Sequence, residues 1–419
     1  LFIILMIPIA ISAQGKPMTL TDVMQFKSLS SQQISSDGNW VVASAWPERG
    51  DGYVYIKEVR GRRSYSIELG KDPIISPNGQ YVAMSVTHPY HDLFKISKPS
   101  DRPKDGMLLV DVRSGAKTPK DEVKSFQFSN DSKWLMIQYH NSTTPDSLTS
   151  GAKVRKSIGS ELELIQLSSQ QSLKVPMVSD FSIDSTSTHL VVFVSDSTGS
   201  GNALKYLNLS SPDLNPTTIY SDSASHFSNF EWDNENGRLF FLYSDDTKDG
   251  KPEHTSLMTW QASSGELETL VRHDQVDGWM LPVRNSLRYR ANGNRLFFGF
   301  RPVTDSDVKK ETEEANPFDF DHILKDVGLD VWHGNDPRIK TNEKVVWRQQ
   351  QNQLYQAVFH LSDKTLVRLA DENITNVQIP ENTTRALAID NTPYLREITW
   401  MGTSAVDVYT VDLLSGEKN

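Results

Sequence analysis

One unit of sequence recurs along this chain and limits its fold more than any other feature. In each copy, an apolar-led segment reaches a polar turn, often Asp-Gly or Asn-Gly, and a strongly hydrophobic strand follows. The turns are centred on Asp37, Asn78, Asp131, Asp184, Asn236 and Asn292. The intervals between these markers are 41, 53, 53, 52 and 56 residues. A near-constant period of this length indicates an array of similar structural units.

The turn chemistry and the period together predict the fold. Asp-Gly and Asn-Gly favour a tight hairpin, because both residues tolerate the positive φ that matches the twist of the flanking strands. Blades of β-propellers repeat at about 40–50 residues, so we predict an all-β fold: a β-propeller of about seven four-stranded blades, with seven or eight in the intact protein. A sandwich of many strands is the alternative, but it does not explain the regular interval.

Further strands fit the same plan. A third strand usually follows the hydrophobic one, at residues 53–56, 107–111, 162–165, 257–260 and 406–409. Several lead into a Ser-Gly turn, at Ser114-Gly115, Ser264-Gly265 and Ser415-Gly416. Helical periodicity is nearly absent. Only residues 20–29, with Thr19 or Thr21 as the capping residue, predict a short helix.

Some parts of the array are irregular. Residues 141–160 and 303–325 are polar and predict loops inserted between strands, whereas the strands of 326–370 have no unique assignment. A seventh unit begins near Asn376 and reaches Asn419 just after a Ser-Gly turn, where a fourth strand is due. We therefore expect a truncated last blade in a chain that is a fragment.

Composition excludes several classes of function. The chain has 419 residues, a formal net charge of −10 and no cysteine. Nucleic-acid affinity comes mainly from clustered Lys and Arg, and the densest cluster is only Arg60-Gly61-Arg62-Arg63, so we expect no nucleic-acid partner. Without cysteine, disulfides, thiolate zinc sites and a cysteine nucleophile are excluded. No cofactor motif is found, and no cofactor is expected.

The first residues predict export. Residues 1–11 form an unbroken apolar run, followed by Ser12 and Ala13. Such a run is too short to span a bilayer but suits a signal peptide, with cleavage after Ala13. A buried strand is the alternative. We expect a periplasmic or extracellular protein, divided into a partial signal peptide (1–13), a segment with the short helix (14–33) and propeller blades (34–419). The mature protein is expected to have no membrane anchor.

Local catalytic signatures are missing from the sequence. There is no G-x-S-x-G nucleophile elbow, no H-E-x-x-H zinc motif and no Walker-type phosphate loop. His88 and His91 form the closest histidine pair, for which a metal or proton-transfer role competes with the favoured interpretation of a solvent-facing loop. His333 follows Trp332, and a packed or capping histidine is favoured there. We assign no catalytic, cofactor-binding or metal-binding residue.

Three other groups are weaker candidates. Residues 245–250 resemble a calcium loop, but Ser256 stands where the closing acid is needed, so a hydrated hairpin is favoured. The acidic run Glu311, Glu313 and Glu314 is a candidate for a substrate amine, although such runs are usually solvated. The aromatic residues after the turns are candidate ligand platforms, but their place at the start of apolar strands favours a core role. These are Trp40, Tyr81 and Trp134.

The opening of the mature region resembles that of secreted prolyl oligopeptidase family members. These begin with a short helix and an "x-I-S-P-D-G-K-W/Y-V" turn, as in residues 20–41 here and again in 75–82. Residues 329–337 are similar to a stretch in long bacterial relatives. The resemblance covers nearly the whole chain, although only the first two repeats match closely. The turn is shared by non-enzymatic periplasmic propellers of the Tol system.

The resemblance implies a function. In this family a propeller stands over a C-terminal α/β-hydrolase domain that carries a Ser, Asp and His triad. The propeller lets only small or unfolded peptides enter the active site. No residue of this chain matches the triad motifs, so the resemblance implies a non-catalytic gating and docking part of a secreted serine peptidase. Its partners would be the hydrolase domain and peptide substrates. The paired glutamates of the dipeptidyl peptidase IV branch have no matching motif here, so exopeptidase activity stays open.

Two other functions stay open from the sequence. One is a stand-alone Tol-type propeller that acts through protein–protein binding. The other is a propeller enzyme that acts on carbohydrate through carboxylates around a central channel.

Overall fold

The structure is a computed structural model that describes residues 17–141, 158–196, 200–223, 225–246, 252–303, 333–379, 384–402 and 405–419. The predicted signal peptide, the acidic run 311–314 and most of the loops 141–160 and 303–325 lie outside the described residues. The chain divides into two compact units. Unit 1 holds the described residues up to 141 together with 161–174, and unit 2 holds 158–160 and the described residues from 175 onwards.

Unit 1 is built from antiparallel sheets whose strands follow chain order. The first sheet has the order β1-β2-β3-β4, the second β5-β6-β7-β8, and the third begins β9-β10-β11 with the first residues of β12. The strands are β1 Lys27–Ile34, β2 Trp40–Pro47, β3 Tyr53–Glu58, β4 Ser64–Glu68, β5 Gly70–Ile75, β6 Tyr81–Val86, β7 Gly106–Asp111, β8 Lys117–Lys120, β9 Val123–Phe128, β10 Trp134–Tyr139, β11 Ser160–Gln166 and β12 Ser172–Ile183.

Unit 2 continues the pattern with less regular sheets. Its sheets have the orders β12-β13-β14-β15, β16-β17-β18-β19, β20-β22-β23-β24 with β21 also on β22, and β25-β26-β27. The strands are β13 His189–Val194, β14 Ala203–Asn208, β15 Thr217–Ser221, β16 Ser225–Asp233, β17 Arg238–Asp246, β18 Pro252–Gln261, β19 Leu267–Val271, β20 Trp279–Met280, β21 Arg288–Arg290, β22 Arg295–Pro302, β23 Tyr355–His360, β24 Thr365–Arg368, β25 Asn376–Gln378, β26 Arg385–Asp390 and β27 Asp407–Asp412.

The predicted all-β class, with repeated four-stranded antiparallel sheets of the propeller type, is confirmed. The number of blades stays a prediction. In the last sheet, β27 is followed by a single bridge between Val411 and Lys418.

Among the described residues, four α-helices interrupt the strands. They are α1 Leu20–Gln25, α2 Tyr90–Phe94, α3 Lys340–Gln350 and α4 Leu395–Met401. Thr19, one of the two candidate capping residues, caps α1 in a capping box with Asp22. Among the described helices, none is long and apolar enough to cross a bilayer.

The predicted end of the first helix was wrong, and the helices α2, α3 and α4 were not predicted. The first helix ends at Gln25 and not at residue 29, because Lys27–Ile34 pairs with β2 as the first strand of the first sheet. The sheets therefore begin at Lys27 and not at 34. Helix α3 was missed because its apolar residues Val345, Val346 and Trp347 are consecutive and so do not repeat at helical spacing.

Hydrogen bonds of one kind occur in three turns of unit 1. In the first turn, the Ser35 hydroxyl donates to Asp37 Oδ1 (2.5 Å) and accepts from the Trp40 amide (2.9 Å), while the Asn39 amide donates to the same Asp37 oxygen (3.0 Å). The turns at Ser76 and Ser129 repeat these three bonds. All three serines are buried.

The turns are longer than the tight hairpins that the sequence predicted. Five residues, 35–39, connect β1 to β2, and the residue with positive φ is Gly38 (70°) rather than Asp37. Asp37 acts through its carboxylate, which accepts hydrogen bonds from the turn and has a pKa below its usual value, chiefly because of the Ser35 hydroxyl. In the Asp37-Gly38 dipeptide, the glycine thus supplies the positive φ and the aspartate supplies the hydrogen-bond acceptor.

Candidate functional site

The two ends of the sheets in unit 1 differ in how the strands are connected. At one end, six connections have five residues each, namely 35–39, 59–63, 76–80, 112–116, 129–133 and 167–171. Turns of neighbouring sheets touch there, since the Ser36 hydroxyl donates to the Pro77 carbonyl (2.6 Å) and the Asn78 amide donates to the Ser132 hydroxyl (2.9 Å). At the opposite end, the connections range from the single residue 69 between β4 and β5 to residues 87–105 between β6 and β7. The longest described connection of unit 1 therefore lies at this loop end.

A cleft of about 480 Å³ lies at the loop end of the second sheet. Its apolar lining comes from strand ends and from two prolines: Ile67, Val86, Pro103, Met107, Leu108 and Pro119. Its polar lining includes Glu68, His88, Lys104, Lys120, Asp121 and Glu122. A second cleft of about 350 Å³ shares Asp121 and Glu122 and is completed by Tyr139, His140, Asn141 and Glu161. The two clefts thus combine an apolar lining with several charged groups.

Gly106 lets two chain segments approach each other beside the first cleft. A Cβ at this position would lie 2.6 Å from the carbonyl oxygen of Lys120, which is closer than a carbon and a carbonyl oxygen can pack. Gly106 is the first residue of β7 and pairs with Val86. The absence of a side chain at Gly106 thus allows the Lys120 backbone, and the connection that follows it, to pack this closely.

A cluster of Glu163, Lys120 and Tyr139 lies beside the second cleft, which Tyr139 lines. Glu163 on β11 is only 3% exposed, and Lys120 Nζ lies 3.1 Å and 2.9 Å from its two carboxylate oxygens. The Tyr139 hydroxyl also donates to Glu163. Burial disfavours ionisation, but the bonds from Tyr139 and Lys120 outweigh it, so the pKa of Glu163 lies below its usual value. Burial and the bond to Glu163 raise the pKa of Tyr139.

The described lining of the two clefts includes the histidines His88 and His140 and no serine or cysteine. Burial, with Lys104 and Lys124 nearby, lowers the pKa of His140, so this imidazole is neutral near pH 7. It can accept or donate a hydrogen bond to a ligand.

The predicted histidine candidates form no metal site within the described ranges. His88 Nε2 hydrogen-bonds the Lys104 carbonyl oxygen (3.0 Å) at the edge of the first cleft, and His91 is exposed on α2. No group of three metal-binding side chains occurs among the described residues. His333 is exposed and caps a turn, because its Nδ1 accepts from the Asn335 amide (3.0 Å).

The other sequence candidates fall elsewhere. In the calcium-like loop, 247–250 lies outside the described residues, and the Asp245 carboxylate is within 3.2 Å of both His254 Nδ1 and the Tyr243 hydroxyl. Trp40 and Trp134 are each 5% exposed in the cores of their sheets, while the Tyr81 hydroxyl donates to the Leu167 carbonyl (3.3 Å). These rings are core residues, as favoured.

Sequence reasoning missed the Glu163 cluster. Lys120 and Glu163 are 43 positions apart, so no local motif joins them. The one available signal was that Glu163 stands inside the apolar strand 162–165, where an acid needs a partner if it is buried.

Comparisons with known proteins give a limited result. No family model and no curated protein matches the chain. Among solved structures, it is similar to a prolyl endopeptidase (11% identity, 95% of this chain and 50% of that one, TM-score 0.41). It is also similar to the propeller domain of the trilobed protease from Pyrococcus furiosus (12%, 94% and 97%, TM-score 0.34) and to an acylaminoacyl peptidase from Pyrococcus horikoshii (12%, 95% and 52%, TM-score 0.35).

These neighbours are peptidases or a peptidase propeller domain. The chain spans about half the length of the prolyl endopeptidase and of the acylaminoacyl peptidase. Likenesses at these TM-scores do not assign a function, so a function for this chain has to be argued from its own residues.

Proposed function

We propose that this chain is the non-catalytic propeller part of a secreted serine peptidase. It docks on a hydrolase domain and allows only small or unfolded peptides to reach the active site. The observation that carries the proposal is the difference between the two ends of the sheets in unit 1. One end is closed by five-residue turns, whereas the other carries the long β6–β7 connection and both clefts. A domain that guides polypeptides needs such a specialised end.

The sequence supports the same function from another side. The opening helix and turn resemble those of the prolyl oligopeptidase family, while no nucleophile elbow occurs anywhere in the 419 residues. The chemistry must then come from a separate hydrolase domain. The negative net charge and the carboxylates of the clefts make a polypeptide a better ligand than a nucleic acid.

Labelling with a fluorophosphonate, which reacts with activated serines, tests the proposal. The product of the full reading frame should be labelled at one serine outside residues 1–419 and should cleave fluorogenic peptides. The chain alone should be neither labelled nor active. A full reading frame without any reactive serine would favour a Tol-type binding propeller and would contradict the proposal. Labelling within residues 1–419 would also contradict it.

A further inference from the structure

A second cleft system lies in unit 2, at the ends of three strands. Helix α3 belongs to the connection from β22 to β23, Glu372 and Thr375 lie between β24 and β25, and Asn391 follows β26. Together these segments enclose a cleft of about 530 Å³. None of its lining residues belongs to the clefts of unit 1 or to the serine turns.

Neutral hydrogen-bonding groups dominate the lining of this cleft. The lining has four amides, two hydroxyls and two apolar side chains, from Gln349, Gln350, Gln353, Asn391, Thr375, Thr392, Val346 and Leu395. Within the part of the chain that the structure describes, none of the four amide side chains forms a hydrogen bond with another residue. Each amide offers both donors and an acceptor, which is the combination that a peptide main chain presents in return.

Two opposite charges complete the lining. Arg338 precedes α3 and Glu372 follows β24. Neither side chain forms an ion pair with another described residue. A guanidinium matches a carboxylate in geometry, and a carboxylate accepts hydrogen bonds from an ammonium. The cleft therefore offers a partner for each end of a molecule with a free carboxylate and a free amine.

From this combination we infer that the cleft of α3 binds short zwitterionic peptides. The carboxylate of the peptide pairs with Arg338, its ammonium pairs with Glu372, and its main-chain amides bond to the glutamine and asparagine side chains. A neutral oligosaccharide matches the amides and hydroxyls equally well, but it leaves both charged residues without partners. The inference rests on the proposed function only in choosing peptides over other zwitterions.

Calorimetric titration of the purified chain with a neutral tripeptide tests this inference. The tripeptide is used free, C-terminally amidated and N-terminally acetylated. Arg338→Gln should weaken binding of the free tripeptide by about three- to tenfold, as expected for a partly solvated ion pair. Amidation should cause the same loss in the unaltered chain and no further loss in this variant. Glu372→Gln should likewise weaken binding of the free tripeptide. N-terminal acetylation should cause the same loss in the unaltered chain and no further loss in the Glu372→Gln variant.

The control is Arg272→Gln, which removes an exposed cation paired with Asp274 elsewhere in unit 2 and should leave binding unchanged. Equal binding of free and doubly blocked tripeptide would overturn the inference. So would binding of a neutral trisaccharide without binding of the tripeptide, or no binding at millimolar concentration. Because reversible binding is measured without any hydrolase domain, these failures leave the result of the fluorophosphonate labelling unaffected.

Discussion

Lys120 Nζ lies 2.9 Å from Glu163 Oε2, and this contact joins the last residue of β8 to the middle of β11 in the next sheet. The Glu163 side chain is 4% exposed and that of Lys120 is 27% exposed. Tyr139 completes the bonding of the carboxylate. The contact is thus a buried charge pair that fixes one sheet against its neighbour beside Asp121 and Glu122.

Lys120→Met should lower the free energy of unfolding by about 3 kcal/mol, because removing one partner leaves a buried carboxylate without its counter-charge. Urea denaturation followed by tryptophan fluorescence measures the loss. Lys174→Met is the control. Lys174 pairs with Glu161, which lies on β11 like Glu163, but both side chains of this pair are about half exposed. It should cost less than about 1 kcal/mol. Equal costs for the two variants would show that burial does not matter here.

The stability of the chain should fall in acid partly through Glu163. Its folded pKa lies below the unfolded value of about 4.3, so the unfolded state binds more protons between the two values. The stabilisation is therefore present above about pH 4.3 and is lost as the pH falls through the folded pKa. Melting temperatures between pH 6 and pH 3 should fall less steeply for Glu163→Gln than for the unaltered chain. Parallel curves would contradict the assignment.

Ser129→Ala should destabilise the third sheet by about 1–3 kcal/mol. The Ser129 hydroxyl is fully buried, donates to Asp131 and accepts from the Trp134 amide, which loses its partner in the variant. Thermal unfolding measures this change. Ser169→Ala, in an exposed turn of the same sheet, removes a hydroxyl that bonds Gln166 and should change stability by no more than about 0.5 kcal/mol. A similar small effect at Ser129 would exclude a structural role for the turn network.

Gly106→Ala should displace the connection after β8 and cost about 1–3 kcal/mol, because the added Cβ meets the Lys120 carbonyl oxygen. The amide exchange rates of residues 120–123, measured by hydrogen–deuterium exchange, should rise in this variant. Gly334→Ala is the control, since a Cβ there meets no atom within 4 Å. Unchanged exchange at 120–123 would mean that the close approach does not position the cleft.

The turns and strands of the fold were predictable because their signals are local. Residues 35–40 contain every group of the first turn network, and the apolar strand that follows reads directly as β2. Helix α3 was not predictable, because its consecutive apolar residues do not mark one face. The residues of the candidate sites were even harder to predict from the sequence. The partners of Glu163 come from other strands, and the opposite charges of Arg338 and Glu372 are brought to one cleft only by the order of the strands.

The five-residue turns of unit 1 have a consequence for how such a protein can evolve. The turn hydrogen bonds at that end involve no residue of 87–105, so an insertion or deletion in this connection leaves those bonds unchanged. Natural variation can therefore lengthen, shorten or recharge this part of the surface with little penalty in folding. Homologues that share the serine turns are expected to diverge most in this segment.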